Sequence, residues 1–208
     1  MQQRLIADME AYLQPLDFES RVEAINQLRL ALHALSPFKD QPADCVLWVK
    51  EEQVKPNDYN PNNMAPPEKR LLQKSLEADG FTQPIVVMDK YDNQFEIVDG
   101  YHRYALSGGK AALKKQFNGY LPIARLENRS SGLPSRMAAT IRHNRARGRH
   151  QVRAMSDIVL ELSRLGWGDD RIGKELGMDS DEVLRLKQIN GLLEMFGDRQ
   201  FSQAWTVK

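Results

Sequence analysis

Asp99-Gly100-Tyr101-His102-Arg103 follows the apolar run Phe95-Glu96-Ile97-Val98 with no spacer, so a strand passes through a glycine turn directly into a helix start. That junction suits a phosphate. The first turn of a helix has unpaired N–H groups and a partial positive charge, and Gly100 lets the backbone approach a ligand closely. His102 and Arg103 add donors within the same turn, and the planar fork of Arg103 can grip two oxygens. Asp99 adds a short acceptor that could take a ribose hydroxyl, hold a metal ion or cap the helix. The same residues also make an ordinary strand-turn-helix corner, with His102 hydrogen-bonded behind it.

A second concentration of chemistry lies downstream. From Asn128 to Ser156 there is no Asp or Glu, while Arg129, Arg136, Arg142, Arg145, Arg147, Arg149 and Arg153 fall there with His143 and His150. Such a run implies an anionic partner: nucleotide phosphates, DNA or an acidic protein face. A solvated helix face is the alternative, although such faces usually interleave acidic residues. Arg142, Arg145, Arg149 and Arg153, with Arg185 and Lys187 further on, are the candidate contacts to DNA or a partner.

Elements must hold these residues in place. Two amphipathic helices are expected at 2–13 and 19–35, the second with Val22, Ile25, Leu28, Leu32 and Leu35 on one stripe. Strands are expected at 45–50, 84–88, 95–98 and 121–126, with a hairpin turn at Tyr91-Asp92-Asn93. Helices are expected at 67–78, from the glycine turn to Gly108-Gly109, and at 134–147. Pro56, Pro61 and the surrounding asparagines make 55–63 a loop that could serve as a lid. After Gly148 the pattern turns all-helical, at 152–165, 169–176 and 180–189, with Gly177 where a helix-turn-helix needs its tight turn. Asp179, Asp181 and Glu182 favour the helix dipole there but repel DNA phosphates. The division is therefore 1–40 helical pair, 41–148 α/β unit, 149–208 helical unit, an α+β architecture with a small mixed sheet.

Composition sets outer limits. With 208 residues, 41% hydrophobic and 27% charged, the chain can bury one sound core and a smaller appended one, and its net charge of +1 conceals the basic run. No apolar run is long enough for a membrane span and no leader is evident, so a cytoplasmic location is the expectation. Cys45 is the single cysteine, which excludes an internal disulfide, and its neighbours suggest a buried strand residue.

Gln83-Pro84-Ile85-Val86-Val87, then Asp99-Gly100-Tyr101-His102-Arg103-Tyr104, then Asn144 with Arg147, resemble the three boxes of the ParB/sulfiredoxin superfamily in order. The resemblance spans about residues 45 to 190 and implies an α/β nucleotide-binding fold. It implies a pocket lined by Gln83, Asp99, Gly100, Tyr101, His102 and Arg103 and closed by Asn144 and Arg147. The ligand would be CTP, ATP or ADP, with Mg²⁺ a possible companion and Asp99 its candidate ligand. Clamp proteins of the family carry an acidic residue where this chain has His143, a poor Mg²⁺ ligand, which disfavours hydrolysis of their type. Sulfiredoxins need a cysteine where Tyr101 stands, so their thiol chemistry is excluded. The free-serine-kinase branch implies Glu68 as a catalytic base beside Asp99 and His102.

Residues from about Asn144 to Trp205 further resemble short ParB-like bacterial proteins of the IbrB/YbdM type. That likeness implies a nucleotide-binding regulator of gene expression that contacts DNA, and a phosphoadenosine-phosphosulfate-reductase-like partner. A small-molecule kinase is the alternative. A nuclease ranks last, because no acidic cluster suits two metals. The oligomeric state is open.

Overall fold

Lys90 donates to Gln94 across a turn in which Asp92 and Asn93 both have positive φ, 59° and 55°, and this hairpin organises the centre of a five-stranded mixed sheet. The computed structural model describes residues 1–57, 64–90, 92–126, 132–145 and 152–196, without the side chains of 143–145, 153 and 190–196. Two helices come first, α1 (Gln2–Leu13) and α2 (Phe18–Leu35), followed by strands β1 (Val46–Lys50) and β2 (Val54–Lys55) and helix α3 (Pro66–Asp79). Then come β3 (Ile85–Asp89), β4 (Phe95–Asp99), helices α4 (Tyr101–Gly109) and α5 (Ala111–Gln116), and β5 (Tyr120–Leu126). The chain finishes with α6 (Leu133–Arg145), α7 (Val152–Arg164), α8 (Asp169–Leu176) and α9 (Ser180–Phe196).

The strand order is β1-β5-β3-β4-β2, with β1/β5 and β3/β4 antiparallel and β3/β5 and β2/β4 parallel. The central strands are buried along most of their length on both alternating sets of side chains. Ile85, Val87, Ile97, Leu121 and Ile123 are almost fully buried there, joined by Leu47, Val49 and Val54 from the flanking strands. Leu76, Leu106 and Leu113 make a second cluster where α3, α4 and α5 meet, with Phe81 packed against both clusters. The expected four strands are present within a residue or two of their ends. The two-residue β2 and the six-residue α5 were not expected, since neither is long enough to show a period.

Helix α2 departs from its expected face. Leu32 and Leu35 are 64% and 85% exposed, while Ala24 and Asn26 are buried. Asn26 explains the rotation. Its amide donates to the Trp48 carbonyl at 2.6 Å and its side-chain oxygen accepts from Trp48 N–H at 3.1 Å, satisfying the outward backbone groups of the edge strand β1. Cys45 also differs: it precedes β1 and is only partly buried.

Packing separates the chain into two compact units, one of Met1–Asn57 with Met64–Ser131 and one from Gly132 onward. Sequence placed that division after Gly148. Met137, Ala138 and Ile141 put α6 in the same core as Met155, Ile158, Leu162, Trp167, Ile172 and Val183, so α6 packs with the helical unit. Among the described residues, no helix is long and apolar enough to cross a membrane.

Candidate functional site

The β4–α4 junction is the centre of the α/β unit's chemistry. Gly100 is the N-cap of α4, at φ +94° and ψ 17°, and no side chain caps the helix. Tyr104 N–H bonds the Gly100 carbonyl at 3.1 Å, so the helix starts there and the earlier N–H groups face away from its own ladder. A register shift in the β3/β4 ladder between Val86 and Val87 bends β4 just before this turn. The glycine is required twice. A β-carbon on Gly100 would lie 2.8 Å from Arg103 Nη2 and 3.3 Å from the Ile85 backbone, and the φ itself is one that L side chains rarely adopt.

Arg103 is folded inward over this turn. Its Nη1 donates to Gln83 Oε1 at 2.8 Å and to the Gln83 carbonyl at 3.3 Å, and its Nη2 lies 3.6 Å from Asp99 Oδ2. Both charges are largely removed from water, with side chains 12% and 8% exposed. Three expected site residues, Gln83, Asp99 and Arg103, therefore form one linked group around Gly100. Asp99 stands as the ion-pair partner of the guanidinium. Among the described residues, no three His, Cys, Asp or Glu side chains converge to hold an ion.

Tyr101 packs against the sheet core, its ring centroid 5.6 Å from that of His102. His102 is half-buried. Burial pushes its pKa below the ordinary value, the Lys69 charge lowers it further, and Glu68 opposes both. The start of α3 is thus within electrostatic reach of His102. Lys69 is a contributor that sequence reading missed, since a lysine in a first turn gives no signal of what faces it. Glu68 has a second engagement: its carboxylate accepts the Ala65 N–H at 3.2 Å, satisfying a backbone donor at the start of α3. Of the expected lid, Asn57 donates to the Ile97 carbonyl of β4 at 2.7 Å, and residues 58–63 lie outside those described.

Asn144 is on α6, with its side chain outside the described set, and Arg147 and Arg149 lie outside it entirely. Arg145 and Arg153 are placed on α6 and α7 by backbone alone. In the helical unit, Arg142 pairs with Glu175 and Lys187 with Asp169, each tying two helices together. Gly177 ends α8 in the left-handed conformation at φ 65°, and Met178 N–H returns to the Gly173 carbonyl at 2.8 Å. A β-carbon on Gly173 would lie 2.9 Å from the Met178 carbonyl, so this glycine sets how closely the turn returns to α8. Asp179 is used as a cap, accepting Glu182 N–H at 2.7 Å, which leaves Asp181, Leu184, Arg185 and Gln188 on the exposed side of α9.

Comparisons with known proteins agree with this two-part architecture. A model of the ParB N-terminal domain matches residues 38–116, and one of the IbrB-like C-terminal HTH domain matches 150–198. Over 208 residues the chain is 63% identical to the uncharacterized protein YbdM of Escherichia coli (strain K12), covering all of this chain and 98% of that one. Two solved structures of C-terminally truncated ParB from Caulobacter crescentus are more distant. The complex with CTP-gamma-S is 18% identical and covers 73% of this chain and 86% of its own, with TM-score 0.40. The complex with the centromeric parS site is 17% identical and covers 74% and 79%, with TM-score 0.44. A mixed sheet with a glycine turn opening α4, followed by a helix-turn-helix unit, defines a short ParB-like protein. The chain belongs to the family of YbdM.

Proposed function

We propose that this ParB-like protein is a nucleotide-binding regulator that holds the phosphates of a nucleotide at the Gly100–Arg103 turn and contacts DNA through its helical unit. The observation that carries the reading is the uncapped start of α4 at Gly100, with Arg103 clamped over it by Gln83 and Asp99. The ParB N-terminal domain match supports the nucleotide half, and the HTH domain match supports the DNA half. CTP, ATP and ADP all present the phosphate that this turn suits. Any Mg²⁺ would be held by the nucleotide's own phosphate oxygens, with Asp99 beside them as the candidate protein ligand. In this reading the arginine run from Arg142 to Arg153 supplies non-specific attraction to DNA.

Titration calorimetry with CTP, ATP and ADP, each with Mg²⁺, tests the nucleotide half. Saturable heat from at least one is expected; no heat and no competition from any of them would defeat the reading. DNA binding should weaken with salt along a linear log–log slope.

Glu68 within electrostatic reach of His102 favours a second reading, a kinase acting on a small hydroxyl-bearing metabolite. Its test is turnover: labelled nucleotide with a metabolite panel should give a phosphorylated product that Asp99→Ala abolishes. Unchanged nucleotide throughout would remove it.

A further inference from the structure

We propose that α9 reads base edges in the major groove of DNA through Asp181, Leu184, Arg185 and Gln188; this rests on the DNA half of the function proposed above. Helix α9 has two faces. Val183 and Leu186 are buried in the helical core, and Ile189 packs against it. Asp181, Leu184, Arg185 and Gln188 follow the spacing i, i+3, i+4 and i+7, so they share one stripe on the other side. All four are exposed, Leu184 to 51%.

The stripe has no task inside the protein. Among the described residues, no hydrogen bond or ion pair engages the side chains of Asp181, Arg185 or Gln188. Their neighbours do have such partners: Asp179 accepts the Glu182 N–H at 2.7 Å, and Lys187 pairs with Asp169. The turn that presents the stripe is fixed by Gly177 in the left-handed conformation and by Met178 N–H on the Gly173 carbonyl at 2.8 Å.

Chemistry selects the occupant. A surface that binds phosphates alone needs one positive sign, and the acidic start of α9 at Asp179, Asp181 and Glu182 repels them. The stripe is instead mixed: a carboxylate, an alkyl group, a guanidinium and an amide. Base edges in the major groove are mixed in the same way. Guanine offers two acceptors to the Arg185 fork, adenine a donor and an acceptor to the Gln188 amide, thymine a methyl group to Leu184 and cytosine an amino donor to Asp181. From Asp181 to Gln188 the helix rises about 10.5 Å, roughly three base pairs at 3.4 Å each. The stripe begins at the second residue of α9, the end that enters the groove in a helix-turn-helix, and the domain match over residues 150–198 favours duplex DNA over a protein as the occupant.

Selection of the full chain's preferred sites from a randomised duplex library, followed by fluorescence anisotropy on sites changed one base pair at a time, tests this. Arg185→Ala and Gln188→Ala are each expected to relax the preference at a different position at least about fivefold, at unchanged far-ultraviolet circular dichroism, with the two positions within about three base pairs. Gln188→Ala should leave the salt slope unchanged, because the amide meets no phosphate. Asp181→Asn should raise affinity for unselected duplex while relaxing one position. Binding that is equally tight to every sequence, or variants that weaken all sequences alike, overturns the inference and leaves the DNA half of the function standing. Selectivity unchanged in Arg185→Ala and Gln188→Ala takes the stripe off the bases and also overturns it. Absence of binding to any duplex at about 50 mM salt removes the DNA half itself, and this inference with it.

Discussion

Arg103 donates to the Gln83 side-chain oxygen at 2.8 Å while standing 3.6 Å from the Asp99 carboxylate, and the Gly100 turn passes directly beneath its guanidinium. One cation thus locks the lead-in to β3, the end of β4 and the first turn of α4. For the proposed nucleotide, a turn held in this way before any ligand arrives would reduce the ordering cost of binding.

Removing that cation should cost both stability and affinity. Arg103→Ala leaves the 8%-exposed Asp99 carboxylate without this partner, and a loss of about 3 kcal/mol is expected in urea denaturation. Asp99→Asn should cost less, about 1 kcal/mol, because a neutral amide can still accept from the guanidinium. A negligible loss in both would show that the ion pair does not organise the turn.

Gly100→Ala should destabilise the α/β unit by about 1–3 kcal/mol, from the positive φ and the displaced Arg103 side chain together. Nucleotide affinity, followed by calorimetry, should fall with it. Gly109→Ala is the matched control, since a β-carbon there meets nothing within 4 Å, and it should be near neutral.

His102 should titrate below the ordinary 6.5, because burial first and Lys69 second disfavour the imidazolium. The folded state keeps the ring neutral and the unfolded chain binds the proton more readily. Its contribution to stability is therefore full above about pH 6.5 and is lost as pH falls through the window beneath that value. Proton NMR of the ring should show the pKa rising in Lys69→Gln and rising again when a phosphate anion binds beside it. An unchanged pKa in Lys69→Gln would separate Lys69 from this site.

Gly173→Val should disrupt the turn between α8 and α9, since even a β-carbon there lies 2.9 Å from the Met178 carbonyl. A loss of about 2–4 kcal/mol in the helical unit is expected, with DNA affinity lost in gel-shift assays and nucleotide binding retained. Parallel loss of nucleotide binding would mean that the two units do not bind independently.

Much of the fold was legible because long elements declare their period. The apolar runs at Ile85–Asp89 and Tyr120–Leu126, the proline-started α3 ending at Gly80 and the glycine-punctuated helices after Val152 all carry strong local signals. Helix α2 was legible as a helix but not in its facing. Periodicity marked Leu32 and Leu35 for burial, and the Asn26 amide bonding the edge of β1 turned the helix otherwise. Likewise α6 was read with the α/β unit because it follows β5 in sequence, and Met137 and Ile141 buried it among the later helices.

The sequence by itself determined the strand-glycine-helix corner on which the proposed phosphate site rests. A glycine between a strand and a helix, followed by His102 and Arg103, constrains local backbone geometry through steric rules that act within a few residues. Tertiary structure decided what those side chains do. Only folding brings Gln83, 20 residues away, onto Arg103, sets Lys69 within electrostatic reach of His102 and commits Arg142 and Lys187 to partners on other helices. Charge and hydrogen-bonding partners depend on distance in space, and chain order does not encode it.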